Sequence, residues 1–155
     1  MKISEHITYT EATKSATAQR KGIYNNPNGT ELQNMETLAE KIFEPIRCAL
    51  GDKPLRITSF FRSRKLNEAI GGSSTSQHCK GQAMDIDADY SHTSNKEVFI
   101  YIVENLSFDQ LIWEFGDNMN PDWVHVSYVS ESQNRGQILK AVRVDGKTKY
   151  ITYEG

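Results

Sequence analysis

The sequence predicts an α+β fold, in which helices come first along the chain and strands follow. Apolar residues recur at three- and four-residue steps between Leu32 and Ile46, which is the period of an amphipathic helix. Later segments have strand length, and Asp145-Gly146 between two of them is typical of a tight hairpin turn. Helices followed by antiparallel strands favour α+β over an alternating α/β arrangement.

Two helical regions are expected in the N-terminal third. Thr10 can cap a first helix that runs to about Lys21, where Gly22 ends it. A longer helix should follow over about 31–50. Pro45 inside it predicts a bend or a break, because proline removes one helical hydrogen bond.

The remaining segments are shorter. In the segment 83–88, Asp85 and Asp87 share one face of a predicted strand, while Met84 and Ile86 share the other. The predicted strands are 55–60, 83–88, 110–115, 123–129, 138–144 and 147–153, and two further helices are predicted at 63–70 and 94–104.

The composition is that of an ordinary globular chain, and we expect a single domain over residues 1–155. The formal net charge is -2, and no basic block is sustained, so there is no electrostatic case for nucleic acid as a partner. The sequence shows neither a signal-peptide core nor an apolar run of membrane-spanning length. We therefore expect a protein that is made in the cytoplasm and does not insert into membranes. We also expect it to be a monomer.

Three residues form the most informative constellation. His78 and Asp85 are separated by a short loop that contains Gly81, and His125 interrupts an apolar strand. Taken singly, each has a simple reading as a loop, turn or partly buried residue. Together, two imidazoles and one carboxylate suit a catalytic zinc that keeps one position open, and a metal-activated water implies hydrolysis.

Other residues near this constellation are candidates for catalysis. Asp122 lies three residues before His125 and could act as the base, although it is equally well explained as a turn residue. Glu114 is the competing base, because it alternates with apolar residues in a strand. Arg62 could stabilise an oxyanion or bind a substrate carboxylate, or could be a surface arginine. Cys79 is a thiolate alternative, but a lone cysteine beside a histidine favours a packing role.

These residues resemble the zinc D-alanyl-D-alanine carboxypeptidase family. That family also includes the L-alanyl-D-glutamate endopeptidases of phage lysis and the D,D-dipeptidases of vancomycin resistance. The resemblance spans at least Ile57 to Ser127, and the N-terminal helices, with Glu44-Pro45-Ile46-Arg47, also resemble single-domain members of the family. The matching residues are Ser59, Phe61, Arg62 and Ser63, with Leu66, Asn67, Gly71 and Gly72 after them, then Ser76, His78, Gly81, Ala83 and Asp85, and finally Asp122 and His125.

The resemblance implies one zinc ion with three protein ligands, a general base, a group that stabilises the transition state, and a residue that lines the substrate site. These residues are, in order, His78, Asp85 and His125 as ligands, Asp122 as the base, Arg62 as the stabilising group and Ser76 at the substrate. It also implies a hedgehog/DD-peptidase-like fold, with N-terminal helices packed on a mainly antiparallel sheet that carries the zinc site.

By the same resemblance, the chain is expected to hydrolyse an amide bond in peptidoglycan stem peptides. It would do so as a D-Ala-D-Ala carboxypeptidase or as an L-Ala-D-Glu-type endopeptidase, such as an endolysin. Such a protein would reach the cell wall after release from the cell, as in phage or prophage lysis. The alternative is a zinc-containing domain of the same fold that binds the cell wall without catalysis.

Overall fold

The computed structural model describes residues 1–89 and 91–154. The helices are α1 (Tyr9–Thr13), α2 (Ala16–Lys21), α3 (Gly29–Leu38), α4 (Glu44–Ala49), α5 (Arg64–Ala69) and α6 (Asn95–Asn105). The strands are β1 (Lys2–Ser4), β2 (Ile7–Thr8), β3 (Arg56–Ser59), β4 (Ala83–Asp87), β5 (Gln110–Glu114), β6 (Trp123–Ser127), β7 (Gln137–Val144) and β8 (Lys147–Thr152). The predicted α+β class is confirmed.

The first helical region differs from its prediction. A single helix from Thr10 to about Lys21 is wrong, because Thr8 caps α1 and Ser15 caps a separate α2. A serine hydroxyl that bonds to the backbone three residues ahead starts a new helix rather than continuing the old one. The predicted end at Gly22 is confirmed, since Gly22 adopts a left-handed φ of 66°.

The long helix carries the predicted interruption near Pro45. A π-helical turn, Ala39–Phe43, connects α3 to α4, and Pro45 falls in the first turn of α4. A π turn changes the hydrogen-bond pattern immediately before the proline, which lets the chain continue without a full break. Cys48 in α4 lies in an apolar helical pattern that predicts a core position, but it is exposed.

Six strands form the main sheet, in the order β3-β4-β6-β5-β7-β8. Neighbouring strands are antiparallel except β5 and β7, which are parallel. The predicted hairpin between β7 and β8 is confirmed, with positive φ at both Asp145 and Gly146. A short β1–β2 hairpin at the N-terminus was not predicted.

The two faces of the sheet have different roles. One face packs against α3, α4 and α6 in the hydrophobic core. Its residues include Met84, Ile86, Leu111, Trp113, Val124 and Val126, which alternate along β4, β5 and β6. Because side chains alternate between faces, the residues between them project to the opposite side. That opposite face carries the candidate site. Within the described residues, no helix has the length and apolarity to cross a bilayer.

Candidate metal centre

The register of the sheet places two of the predicted ligands side by side. Asp85 on β4 pairs with His125 on β6, and His125 pairs in turn with Ile112 on β5. Directly paired residues lie on the same face of a sheet. The carboxylate and the imidazole therefore project together from the face opposite the helical core.

A tight turn brings the third predicted ligand to the same place. His78 lies in a short 3-10 helix, Gln77–Lys80, and its backbone N–H donates to the Ser76 hydroxyl at 3.3 Å. Gly81 follows with a φ of 72°, and a Cβ there would lie 2.5 Å from the backbone oxygen of Glu31 in α3. Only glycine fits this conformation and this approach, and the chain then enters β4.

The three side chains form a compact cluster. Asp85 Oδ1 lies 2.9 Å from His125 Nδ1 and 3.4 Å from His78 Nε2. One ligand atom from each residue can be chosen so that all lie within 4.8 Å of one another. These separations allow one cation to contact all three atoms, since zinc takes nitrogen and oxygen ligands at about 2.0–2.2 Å.

The protonation of His78 indicates what the cluster holds. Its ring is 2 % exposed, and Nδ1 lies 2.7 Å from the Phe60 carbonyl oxygen, which can only accept a hydrogen bond. Nδ1 therefore carries the proton, and Nε2 presents a lone pair towards Asp85. Nε2 is buried and has no hydrogen-bond partner among the described residues. A buried lone pair facing a carboxylate oxygen is explained by a cation between them.

Electrostatics support the same protonation states. Burial lowers the pKa of the His78 imidazole, and this effect outweighs the opposing influence of Asp85. Burial would raise the pKa of the Asp85 carboxyl, but the imidazoles of His78 and His125 hold it well below its usual range. A neutral imidazole and an ionised carboxylate are the forms that bind a metal.

Glu114 lies in the same cavity as the cluster. The cavity has a volume of about 680 Å³ and is also lined by His78, Asp85 and His125. Glu114 is two residues from Ile112 along β5, so it projects from the same face as His125. Burial raises its pKa to about 7, and Asp85 adds to this rise while His125 opposes it. A carboxyl group of this kind can accept and return a proton near neutral pH.

Asp122 lies elsewhere. Asp122 lines a separate cavity with Phe115, Lys140 and Arg143, and it is not among the residues that line the cavity of the cluster. Asp122 is exposed, and it precedes β6 at the turn where its N–H donates to the Glu114 carbonyl oxygen. The structure therefore brings Glu114, rather than Asp122, to the three predicted ligands.

Arg62 and Ser76 both line the cavity of the cluster. The Arg62 backbone N–H donates to the His78 carbonyl oxygen at 3.2 Å, which holds the two residues together. Its Nη1 donates to Asn67 Oδ1 at 3.0 Å, while its buried Nε has no hydrogen-bond partner among the described residues. Besides lining the cavity, Ser76 caps the 3-10 helix that carries His78.

Two other candidates are outside the cluster. Cys79 is buried, burial raises the pKa of its thiol, and its sulfur is not part of the His78, Asp85 and His125 group of ligand atoms. Asp87 shares a strand face with Asp85, but its carboxylate accepts a hydrogen bond from Asn95 Nδ2 at 3.0 Å. Asp87 thus helps to anchor the start of α6.

A second group of possible ligand atoms lies at the N-terminus. It consists of Glu5, His6 and Glu44. Glu44 is already engaged, because it accepts hydrogen bonds from the Ser4 hydroxyl, from the His6 backbone and from the His6 ring. These contacts attach the β1–β2 hairpin to α4, which is sufficient to explain the group.

Three polar residues around the cavity were assigned no role from the sequence. Asn67 is 3 % exposed and connects Arg62 to the backbone of Ser73. Asp109 and Arg135 form an ion pair beside the 3-10 helix. Asn67 belongs to the segment that matches the family pattern, but that match assigned it no role. The ion pair had no local signal, because its partners are separated by 26 residues along the chain.

The fold and the cluster together fit a metallopeptidase type of domain: a mainly antiparallel sheet with two histidines and an aspartate in an open cavity, and a buried carboxyl group beside them. The chain belongs to the peptidase M15 family, since a family model described as Peptidase M15 matches residues 5–127. The resemblance drawn from Ile57–Ser127 is therefore confirmed, and it includes the N-terminal helices.

One curated relative is similar over a short stretch. It is a zinc D-Ala-D-Ala carboxypeptidase from Streptomyces albus G, 42% identical over 45 residues. These residues are 29% of this chain and 18% of the relative. The match thus covers less than a fifth of the length of that protein.

Proposed function

We propose that this chain is a zinc peptidase that hydrolyses an amide bond in peptidoglycan stem peptides. The observation that carries the proposal is the buried Nε2 of His78, which faces Asp85 and has no hydrogen-bond partner among residues 1–89 and 91–154. Membership of the peptidase M15 family supports peptide hydrolysis, and the name of the Streptomyces relative suggests cell-wall peptides.

His78, Asp85 and His125 would hold the zinc ion. Zinc in such a site supplies Lewis-acid chemistry, which activates water and polarises a carbonyl group. The protein prepares the ligands: the Phe60 carbonyl oxygen fixes the tautomer of His78, and sheet pairing fixes His125 beside Asp85.

We assign the general base to Glu114. It lines the same cavity as the ligands and projects from the same sheet face as His125. Its carboxyl group therefore faces the space in which the water and the scissile amide would lie. Glu114 would take a proton from the water and return it to the departing amine. Asp122 remains the base that the family resemblance predicts, and the test must compare the two.

Arg62 would stabilise negative charge that develops on the scissile carbonyl oxygen. Its backbone is bonded to His78 and its guanidinium is held by Asn67 at 3.0 Å, so its position is fixed before substrate binds. A fixed donor beside developing charge is effective because little reorganisation is needed during the reaction.

The test is digestion of purified peptidoglycan by the zinc-loaded protein, by the chelated protein and by two variants. Glu114→Gln removes the proposed base, and Glu104→Gln is its matched control on the exposed side of α6. Mass spectrometry of the products should show new stem-peptide termini with the zinc-loaded protein and with Glu104→Gln only. Release of single terminal residues would indicate a carboxypeptidase, and internal cuts an endopeptidase. Unchanged muropeptides with stoichiometric zinc bound would contradict the proposal and favour a domain that binds the wall without catalysis.

A further inference from the structure

A second fixed arginine lines the cavity of the metal cluster, and the proposed mechanism does not use it. Arg135 lies in the loop between β6 and β7, and its side chain is 56% exposed. The cavity lining contains one other arginine, Arg62, among the described residues. Arg62 is partly buried and its Nη1 is bonded to Asn67. Arg135 is therefore the more accessible cation in the cavity.

A buried carboxylate fixes the orientation of Arg135. Asp109, whose side chain is 4% exposed, accepts from Arg135 Nε at 3.1 Å and from Nη2 at 2.8 Å. The Arg135 backbone N–H also donates to Asp109 Oδ1 at 3.0 Å. Two parallel bonds from one guanidinium edge hold its plane in place. Nη1 makes no hydrogen bond within the part of the chain that the structure describes.

The same carboxylate connects Arg135 to the metal cluster. Gln77 donates from Nε2 to Asp109 Oδ2 at 3.0 Å, and Gln77 directly precedes His78. Arg135 is thus held at a defined position relative to the 3-10 helix that carries a proposed ligand. An anchored cation in a reaction cavity costs little entropy on binding an anion, because the side chain is already ordered.

We infer that Arg135 binds a carboxylate of the substrate and so determines which stem peptides are cleaved. The inference rests on the proposed function, and it adds a specificity residue to the proposed catalytic groups. Stem peptides carry free carboxylates on side chains and at their termini, and the planar guanidinium recognises this group through paired donors.

The experiment compares peptides that differ only in charge. Stem peptides are prepared in which each free carboxylate in turn is replaced by a carboxamide, and kcat/KM is measured for the zinc-loaded protein. We expect one carboxamide peptide to be cleaved about 10- to 100-fold less efficiently than its parent, as for the loss of one charged hydrogen bond. Equal cleavage of all the peptides would overturn the inference and leave the proposed function intact. Cleavage of none would overturn both.

Variants then identify the residue responsible. Arg135→Gln should lower kcat/KM for the parent peptide by the same factor and leave the sensitive carboxamide peptide unaffected. Arg143→Gln is the matched control, because Arg143 lies over the Phe115 ring and outside the cavity of the cluster. An equal loss on both peptides in Arg135→Gln would show that the ion pair only holds the loop, and would overturn the inference.

A third variant covers the case in which Arg135→Gln fails to fold because Asp109 is left buried without its partner. Arg135→Lys keeps the positive charge beside Asp109 but loses the planar fork. It should bind zinc normally and show a smaller loss that is again confined to the parent peptide. A uniform loss across the peptides would contradict the inference here as well.

Discussion

His78 and Asp85 face each other through a nitrogen lone pair and a carboxylate oxygen 3.4 Å apart. The Phe60 carbonyl oxygen fixes one proton on the other ring nitrogen of His78, and burial lowers the pKa of the imidazole. In the neutral ring Nε2 therefore presents a lone pair to Asp85 and not a hydrogen-bond donor. A lone pair and a carboxylate oxygen at this distance repel each other, and a cation between them turns the repulsion into attraction to both.

Removing this histidine should remove the metal. His78→Ala is expected to lose stoichiometric zinc and all peptidase activity, because two protein ligands do not hold zinc tightly. The matched control is His92→Ala, since His92 is exposed and outside the cluster. Zinc content after dialysis, measured by atomic absorption, checks the prediction. Full zinc occupancy in His78→Ala would show that the cluster is not the metal site.

The base is tested by two conservative changes. Glu114→Gln should keep zinc and lower kcat by about 10²- to 10⁴-fold, the usual effect of losing a positioned base. Asp122→Asn should stay close to the unmodified protein, because Asp122 lines a different cavity. Steady-state rates and zinc content for both variants decide the assignment. The reverse pattern would return the role to Asp122.

The titration of Glu114 predicts a change in stability of the chelated protein. Its folded-state pKa is raised to about 7 from an ordinary value of 4.5. The folded state therefore binds the proton more tightly, and Glu114 lowers the free energy of unfolding progressively as pH rises from 4.5 to about 7. Glu114→Gln removes this effect. We expect it to be about 1–3 kcal/mol more stable than the unmodified protein at pH 8 and nearly equal at pH 4.

Urea unfolding of both chelated proteins at the two pH values measures this difference. Glu104→Gln is again the control, because that exposed position should show no such pH-dependent gain. A Glu114→Gln protein that is no more stable at pH 8 than at pH 4, relative to the unmodified chain, would mean that Glu114 is not the buried group described above.

Packing around Asn67 predicts that Gly72 does not tolerate a larger residue. A Cβ at Gly72 would lie 2.1 Å from Asn67 Oδ1, the atom that holds Arg62. Gly72→Ala should therefore displace Asn67, cost about 1–3 kcal/mol of stability and lower activity while zinc is retained. Gly29→Ala is the matched control, since a Cβ there meets nothing within 4 Å.

Thermal unfolding and zinc content separate a loss of stability from a loss of Arg62 positioning in these variants. We expect Gly72→Ala to have a lower kcat even at a temperature where the variant is fully folded. Equal activity in the two alanine variants would show that Asn67 does not position Arg62.

Local patterns predicted the fold class, the β7–β8 hairpin and the strand face that carries Asp85. These follow from alternation and turn chemistry, which act over a few residues. The same rules failed at Ser15, where a single helix from Thr10 to Lys21 was predicted. The Ser15 side chain instead caps the separate helix α2. The parallel pairing of β5 with β7 was also out of reach, because it joins segments that are distant in sequence.

In the site, too, local features could be predicted from the sequence and long-range contacts could not. Sequence indicated His78, Asp85 and His125 together, because their residue types and loop lengths suit one metal. Spacing left Glu114 and Asp122 open as bases, because it does not reveal which side chain reaches the cavity, and the family resemblance assigned the role to Asp122. The pairing of β5 with β6, which puts Glu114 on the face of His125, is a tertiary feature.

Zinc-edge X-ray absorption of the purified protein tests whether His78, Asp85 and His125 hold zinc. We expect one zinc per chain with two imidazole nitrogens and additional oxygen scatterers, all at about 2.0–2.2 Å. A sulfur scatterer at about 2.3 Å would implicate a cysteine instead. That result, or the absence of bound zinc after saturation, would contradict the assignment of these three residues as the ligands.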